Sequence, residues 1–416
     1  MKVLIIAPYY PYPAYPSWGS VNERAACALN ELCDGVAVLA PRPYALPVVS
    51  SWVPRWRSYR QIIGYEVRNR IPLYRPYYVH IPRLGGAIWT DPGAFFWCRH
   101  TVRDMHRLTR FDALLSFDLV ASGGMAWRIG RDLGIPASGW AIGNDVRVPA
   151  SSSYGLVLRR AIKHLDLVFY QSRELLETVA AQLAIPPEQM SPKRHVVLPR
   201  GIPSPPLLPR VQVRNRIRAE WRITHDQIVL LNIGRMVRDK GIFELLQAIA
   251  FATARNPKII CILVGSNPAF DETTAVQQKL HETPDLRERV RLLPHCSPDT
   301  VWEYLCAADI FAFPSHKEGM PNSLLEAMAM GVPAIAFAIP PVVEIAAATG
   351  CMVAVTPFDS TLFSEAILRL AASPDERATL EGKGRARVMQ QFMIQAKMAE
   401  ALQRLAQTVP KRIPVN

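Results

Sequence analysis

Residues 311–337, FAFPSHKEGMPNSLLEAMAMGVPAIAF, decide how this chain is read. The stretch parses into a short apolar strand, a polar loop, a helix and a second apolar strand. The loop carries Ser315, His316, Lys317 and Glu318. Gly319, Pro321, Asn322 and Ser323 mark a helix start, because proline suits the first turn and Asn or Ser can cap it. Gly331 and Pro333 stop the helix. Between these signals Leu324, Leu325, Ala327, Met328, Ala329 and Met330 are apolar on nearly every face, which predicts a buried helix.

Within that helix Glu326 is a lone carboxylate, costly in apolar surroundings unless it is hydrogen-bonded. Glu318 is a second carboxylate, just before the helix N-terminus, where free N–H groups and a positive dipole end favour phosphate. A phosphorylated, polyhydroxylated ligand could meet both carboxylates and the helix start. Equally, Glu318 could be solvated and Glu326 paired internally; patterning alone leaves both readings open.

The setting P-S-x-x-E-G-x-P-x-x-x-L-E-A-M-A-x-G-x-P, with seven residues between Glu318 and Glu326, resembles the E-x7-E signature of the retaining glycosyltransferases of family 4. The resemblance implies α/β architecture of the GT-B type, two Rossmann-like domains facing across a cleft. It implies that Glu318 contacts a donor sugar and Glu326 the ribose of its nucleotide, with Gly319, Met320, Pro321 and Asn322 around the donor.

The rest of the chain bounds these expectations. At 416 residues, half of them hydrophobic, it can fill two domain cores. The longest uncharged segment, 327–343, is interrupted by Gly331, Pro333, Pro340 and Pro341 and reads as core strand and loops, not a membrane span. The N-terminal MKVLIIAPYYPYP reads as a first strand and not as a signal peptide. Seven cysteines without any C-x-x-C point to reduced cytosolic thiols, not to disulfides or zinc. The net charge of +13 favours anionic partners, and it is concentrated: residues 42–110 hold twelve arginines against three acids. Tryptophans, tyrosines and phenylalanines interleave with those arginines, among them Trp52, Trp56, Tyr65, Tyr74, Trp89, Phe96 and Trp97. The segment from Ala94 to Phe111 predicts a basic amphipathic helix, suited to an anionic membrane surface or to a core-facing helix with a solvated basic face. No nucleic-acid-binding motif accompanies it, and nucleic acid is not an expected partner. The expected location is cytoplasmic, peripheral on the inner face of the membrane.

In chain order, strand, loop, helix and strand repeat in the rhythm of an open α/β sheet, whose ligands sit at the C-terminal strand ends. The first loop keeps one glycine, Gly19, before Ser20, where the family often has two; Gly19 is assigned to the donor site. Residues 1–203 are expected as an acceptor-binding domain and 204–212 as a proline-rich linker. Residues 213–391 are expected as the nucleotide-sugar-binding domain, and 392–416 as a C-terminal helix returning towards the first domain. In the second domain Gly234, Arg235 and Lys240 follow a strand. Two cations at a strand end can grip a diphosphate, or simply be solvated; the pattern G-R-x-x-x-x-K-G resembles the family's diphosphate-binding turn.

Four departures from the family pattern stand out: Arg200 for Asn, Asn267 for Gly, Pro294 for Gly, and Ile142 where many relatives have a histidine before G-x-D. With that histidine absent, Asp145 is expected as the first-domain residue nearest the acceptor hydroxyl, the alternative being that it caps the following turn. The resemblance implies transfer of a hexose, with retention, from a nucleotide-diphospho-sugar to a hydroxyl acceptor, a glycan or lipid-linked glycan of a cell-surface polysaccharide. Arg235, Lys240, Glu318 and Asp145 are the catalytic candidates, and no cofactor or metal is expected, since two cationic side chains can do the work of magnesium. A catalytically silent nucleotide-sugar-binding protein and a sugar-nucleotide epimerase of the same architecture are the alternatives.

Overall fold

A computed structural model describes the chain except residues 14, 16, 17, 45–58, 61, 80–92, 269, 270, 348 and 411–416. Of the basic, aromatic segment, Trp52, Trp56 and Trp89 therefore lie outside the described residues. The chain divides into two compact units. The first is Met1–Arg200 with the helix Ile394–Thr408, and the second is Gly201–Met393.

Unit 1 runs β1 (Lys2–Ile6), α1 (Ser20–Asn30), β2 (Gly35–Leu39), β3 (Arg42–Pro43), β4 (Tyr65–Arg68), β5 (Ile71–Tyr74), β6 (Tyr77–Tyr78) and α2 (Ala94–Thr109). It continues with β7 (Ala113–Ser116), α3 (Gly123–Leu133), β8 (Ala137–Ala141), α4 (Ser153–His164), β9 (Leu167–Tyr170), α5 (Arg173–Leu183) and β10 (His195–Val197). Its main sheet has the order β10-β9-β8-β7-β1-β2-β5-β4, parallel except for the last pair. The strands are continuous apolar runs because helices cover both faces. Leu4 and Ile6 point into a cluster with Cys98, Val102 and Met105 of α2, while Val3 and Ile5 point into another with Ala25 and Leu29 of α1. That second cluster is completed from the far end of the chain by Ile394, Met398, Ala401 and Leu405.

The β4–β5 hairpin, unforeseen in the sequence, turns through Asn69 and Arg70, both at positive φ. Its exposed edge strand, YEVR, alternates burial instead of running apolar, which hid it. The predicted amphipathic helix is present as α2, with Ala94, Cys98, Val102 and Met105 buried and Phe96, Trp97 and Leu108 exposed.

Unit 2 comprises α6 (Arg210–Glu220), β11 (Ile228–Ile233), α7 (Ile242–Arg255), β12 (Ile259–Ser266), α8 (Thr273–Glu282), α9 (Pro284–Arg289), β13 (Val290–Pro294), α10 (Pro298–Ala307) and β14 (Ile310–Phe313). There follow α11 (Asn322–Ala329), β15 (Ala334–Phe337), α12 (Pro340–Ala346), β16 (Val353–Val355), α13 (Ser360–Ala372) and α14 (Pro374–Gln391); the helix Ile394–Thr408 of unit 1 is α15. The sheet is parallel throughout, in the order β13-β12-β11-β14-β15-β16. Residues 204–209 of the expected linker form no regular element, but α6 starts inside its end, at Arg210, directly after the last of its prolines.

An ion cluster fastens α6 to the sheet. Asp309, just before β14, accepts from Arg214 at 2.5 Å and Arg218 at 2.8 Å, and from the Val229 N–H of β11 at 2.7 Å. Arg218 is buried, so its charge depends on that carboxylate. Removing one partner of a buried pair typically costs about 3–5 kcal/mol. Asp309→Ala should therefore lower the urea midpoint of unit 2 by an amount equivalent to about 3 kcal/mol. A midpoint unchanged from wild type would mean that the cluster does not hold α6.

Candidate functional site

The strongest convergence of predicted site residues lies in unit 2, where the loops after β11 and β14 meet. Gly241 has φ +66°, and a Cβ there would stand 1.8 Å from the Pro314 carbonyl oxygen, so only glycine fits. This close approach continues as hydrogen bonds. His316 N–H donates to the Asp239 carbonyl at 2.9 Å, and Ser315 Oγ lies 3.2 Å from the same oxygen. The Lys317 ammonium pairs with the Asp239 carboxylate at 2.9 Å and holds its pKa below the ordinary carboxylate value, with smaller contributions from His316 and Arg235.

So clamped, the two loops bring Lys240 and Glu318 together, at 2.5 Å from Nζ to Oε1. Ser315 Oγ donates to the same carboxylate oxygen at 2.7 Å. Both side chains are largely shielded, Glu318 at 12% and Lys240 at 28% exposure, so the pair is a charge-assisted hydrogen bond of the stronger kind. The sequence had assigned these two residues to different parts of a ligand and did not foresee the bond. Arg235, five residues before Lys240 in the same loop, is exposed and makes no ion pair among the described residues.

A third loop braces the first. Asp271, between β12 and α8, accepts from Met236 N–H at 3.3 Å, Asn267 N–H at 3.1 Å and Thr273 N–H at 2.9 Å. Glu272 N–H donates back to the Met236 carbonyl at 2.8 Å. Gly265, at φ +119°, passes so near that a Cβ would lie 2.3 Å from the Gly234 oxygen. Asp271 was missed in the sequence, although an Asp two residues before a helix-starting Thr is a recognisable turn signal.

Gly319 and Met320 lead into α11, whose N-cap is Pro321, with no side-chain cap. Asn322 and Ser323 lie inside the first turn, past the N-cap position, and do not cap it; the Asn322 N–H donates to the Met320 carbonyl at 3.0 Å. The helix is buried as predicted and includes Glu326, 8% exposed, in its second turn. It closes where Gly331 and Val332 donate to the Met328 and Ala327 carbonyls, each at 2.9 Å.

In unit 1, Gly19 is the N-cap of α1. Asp145 is buried, and its carboxylate accepts from the backbone N–H groups of Leu119 at 2.9 Å, Ile142 at 3.0 Å and Gly143 at 2.7 Å. This is a turn-capping arrangement, the alternative use of Asp145, with its lone pairs directed at the loops it ties. Nearby Asp118 is equally buried and binds Val120 N–H at 2.7 Å. Burial pushes both carboxyl pKa values up, and the charge of Asp145 adds to the effect on Asp118. Arg200, the departure from Asn, is the compensating cation. It donates to Asn22 at 2.6 Å and lies 5.2 Å over the Phe117 ring, and burial lowers its pKa to about 10.

Among the described residues no cluster of His, Cys, Asp and Glu could hold a metal ion, and no helix is long and apolar enough to cross a membrane.

Cations and carboxylates thus gather at the C-terminal strand ends of the second unit's sheet. Residues 213–387 match the family model of Glycosyl transferases group 1. The chain is 29% identical over 342 residues, 80% of each protein, to TuaC of Bacillus subtilis, which is named as a teichuronic acid biosynthesis glycosyltransferase. It is 27% identical over 185 residues, 44% of this chain and 47% of the relative, to the capsular polysaccharide biosynthesis glycosyltransferase CapM of Staphylococcus aureus. The solved structure of Anabaena Alr3699/HepE in complex with UDP superposes with a TM-score of 0.73 at 18% identity, covering 98% of this chain and 100% of that one. The fold is GT-B, with parallel sheets in two Rossmann-like domains.

The clamp carries a direct test. Gly241→Ala forces apart the loops that hold Lys240 on Glu318. It should cost at least about 2 kcal/mol of stability, as strained positive-φ positions do, read as a lowered urea midpoint. A variant with wild-type stability would show that the close approach does not organise the site.

Proposed function

We propose that the protein is a retaining, metal-independent glycosyltransferase that moves a hexose from a nucleotide-diphospho-sugar to a hydroxyl acceptor in cell-surface polysaccharide synthesis. The observation that carries this reading is the Lys240–Glu318 pair, held at the strand ends of the region that matches the group 1 glycosyltransferase model, with Arg235 exposed in the same loop. The two relatives are named for teichuronic acid and capsular polysaccharide biosynthesis, and the HepE structure contains UDP.

In this reading the diphosphate lies along Gly234–Gly241. Charge grows on it as the sugar–oxygen bond breaks, and Arg235 and Lys240 are placed to stabilise that charge, usually the largest single contribution to such a rate. Glu318, already bonded to Lys240, orients the sugar, so leaving group and sugar are positioned by one hydrogen-bonded unit. Glu326 receives the ribose hydroxyls. The acceptor hydroxyl attacks from the face the diphosphate leaves, and the departing phosphate oxygen takes its proton, which preserves configuration without a protein base. Asp145 acts as a positioning residue for the 118–122 and 142–145 loops.

Arg235→Ala should reduce kcat/KM for the donor at least tenfold, since a hydrogen bond to a charged group contributes roughly 1.5–3 kcal/mol. Glu318→Gln should spare affinity for free UDP and lower turnover, whereas Glu326→Gln should weaken both. The two glutamate variants giving equal losses on UDP and on the sugar nucleotide would overturn the assignment. A silent binder would show donor binding without slow donor hydrolysis, and an epimerase would release an altered sugar nucleotide.

We also infer a peripheral location on an anionic membrane, supported by α2. Phe96 and Trp97 are 57% and 48% exposed, and the Arg99 guanidinium sits 4.6 Å over the Phe96 ring. Aromatic and basic side chains together suit the surface of an anionic membrane. Flotation with phosphatidylglycerol vesicles at low salt should recover the protein, less so in high salt and at least threefold less for Phe96→Ser/Trp97→Ser. Absence of flotation at low salt would rule this contact out.

A further inference from the structure

Unit 1 contains a cavity of about 330 Å³ at the C-terminal ends of β1, β2 and β5, where ligands of open α/β sheets bind. Its walls are strongly aromatic. Tyr9, Tyr12 and Trp18 come from the loop after β1, with Tyr9 and Trp18 edge to face at 5.7 Å, and Tyr78 from β6 contributes a further ring. No aspartate or glutamate lines it among the described residues.

Two buried arginines line it, and they are not equivalent. Arg75 is fully engaged, with Nη1 on the Glu66 carboxylate and Nη2 on the Pro11 carbonyl, each at 2.6 Å. Arg42 is 6% exposed, and its Nε and Nη1 groups meet no acceptor among the described residues. Its backbone is fixed by the β3–β6 pairing, and its guanidinium is stacked 3.9 Å from the Tyr77 ring centroid, so it cannot swing out to water without losing that contact. Burial, and then the charge of Arg75, press its pKa down, while Tyr77 acts the other way. Buried N–H donors without acceptors and an uncompensated buried cation are both costly. An anion supplies what both lack.

We propose that this cavity binds an acidic sugar. The ring lies against the aromatic wall, and a carboxylate or phosphate on it takes hydrogen bonds from Arg42. The proposal rests on the glycosyltransferase reading only in making that sugar the acceptor terminus; the binding itself is independent of the donor site.

Calorimetry on the full chain with glucuronate, glucose 6-phosphate, glucose and inorganic phosphate tests it, with UDP as a separate probe of the donor site. Glucuronate or glucose 6-phosphate should bind at least tenfold more tightly than glucose, and the tighter of the two identifies the anion. Arg42→Gln should abolish that preference and leave UDP affinity unchanged. Tyr9→Ala, at the exposed rim, should weaken the sugars more than inorganic phosphate, and it keeps the test open if Arg42→Gln does not fold. Wild-type protein that binds glucose as well as its acids, or an Arg42→Gln variant that keeps the preference, overturns the proposal. Loss of UDP binding with the acidic-sugar preference intact would refute the donor assignment and leave this site standing.

Discussion

The contact between Gly241 and the Pro314 carbonyl is the constraint on which the site of unit 2 depends. No side chain fits between the two loops, so the backbone of one lies directly on the other. Every polar contact that follows is a consequence. Asp239 offers its carbonyl to His316 and its carboxylate to Lys317, and the next residue, Lys240, pairs with Glu318. The Lys240–Glu318 bond is thereby preorganised and not assembled on demand, which is what electrostatic stabilisation of a leaving group requires. Asp271 performs the matching service on the other flank by tying the β11 and β12 loops.

Unit 1 handles buried charge in two different ways. In the loops after β7, β8 and β10, Asp118, Asp145 and Arg200 form a closed set whose acceptors are largely filled by backbone N–H groups. Such a set fixes loop shape and has little capacity for a ligand. Arg42 is the opposite case, a cation with stacking but without acceptors among the described residues. The contrast separates polar groups that hold the scaffold from groups that await a partner.

The parallel sheets were legible in the sequence because strands covered on both faces become unbroken apolar runs, and β1, β11, β12 and β14 fall where those runs do. The buried α11 and its Glu326 were legible for the same reason. What could not be read depended on distant partners. Lys240 and Glu318 are separated by 78 residues, and nothing local to either announces the bond. The β4–β5 hairpin was hidden because it lies at a sheet edge, where burial alternates and tyrosine and arginine replace valine and isoleucine. The capping bonds of Asp145 were not legible either, because a capping aspartate and a reactive one look alike until their hydrogen bonds are counted.

The helix α15 gives the chain an order of assembly. The face of the first sheet that carries Val3 and Ile5 is sealed in part by Ile394, Met398, Ala401 and Leu405, which leave the ribosome after the whole of unit 2. Unit 2 is contiguous and can finish its core during synthesis, whereas the N-terminal unit, although made first, must wait with apolar surface uncovered. Synthesis order and maturation order are thus reversed, and chains interrupted anywhere before α15 present a nascent sheet to chaperones and proteases.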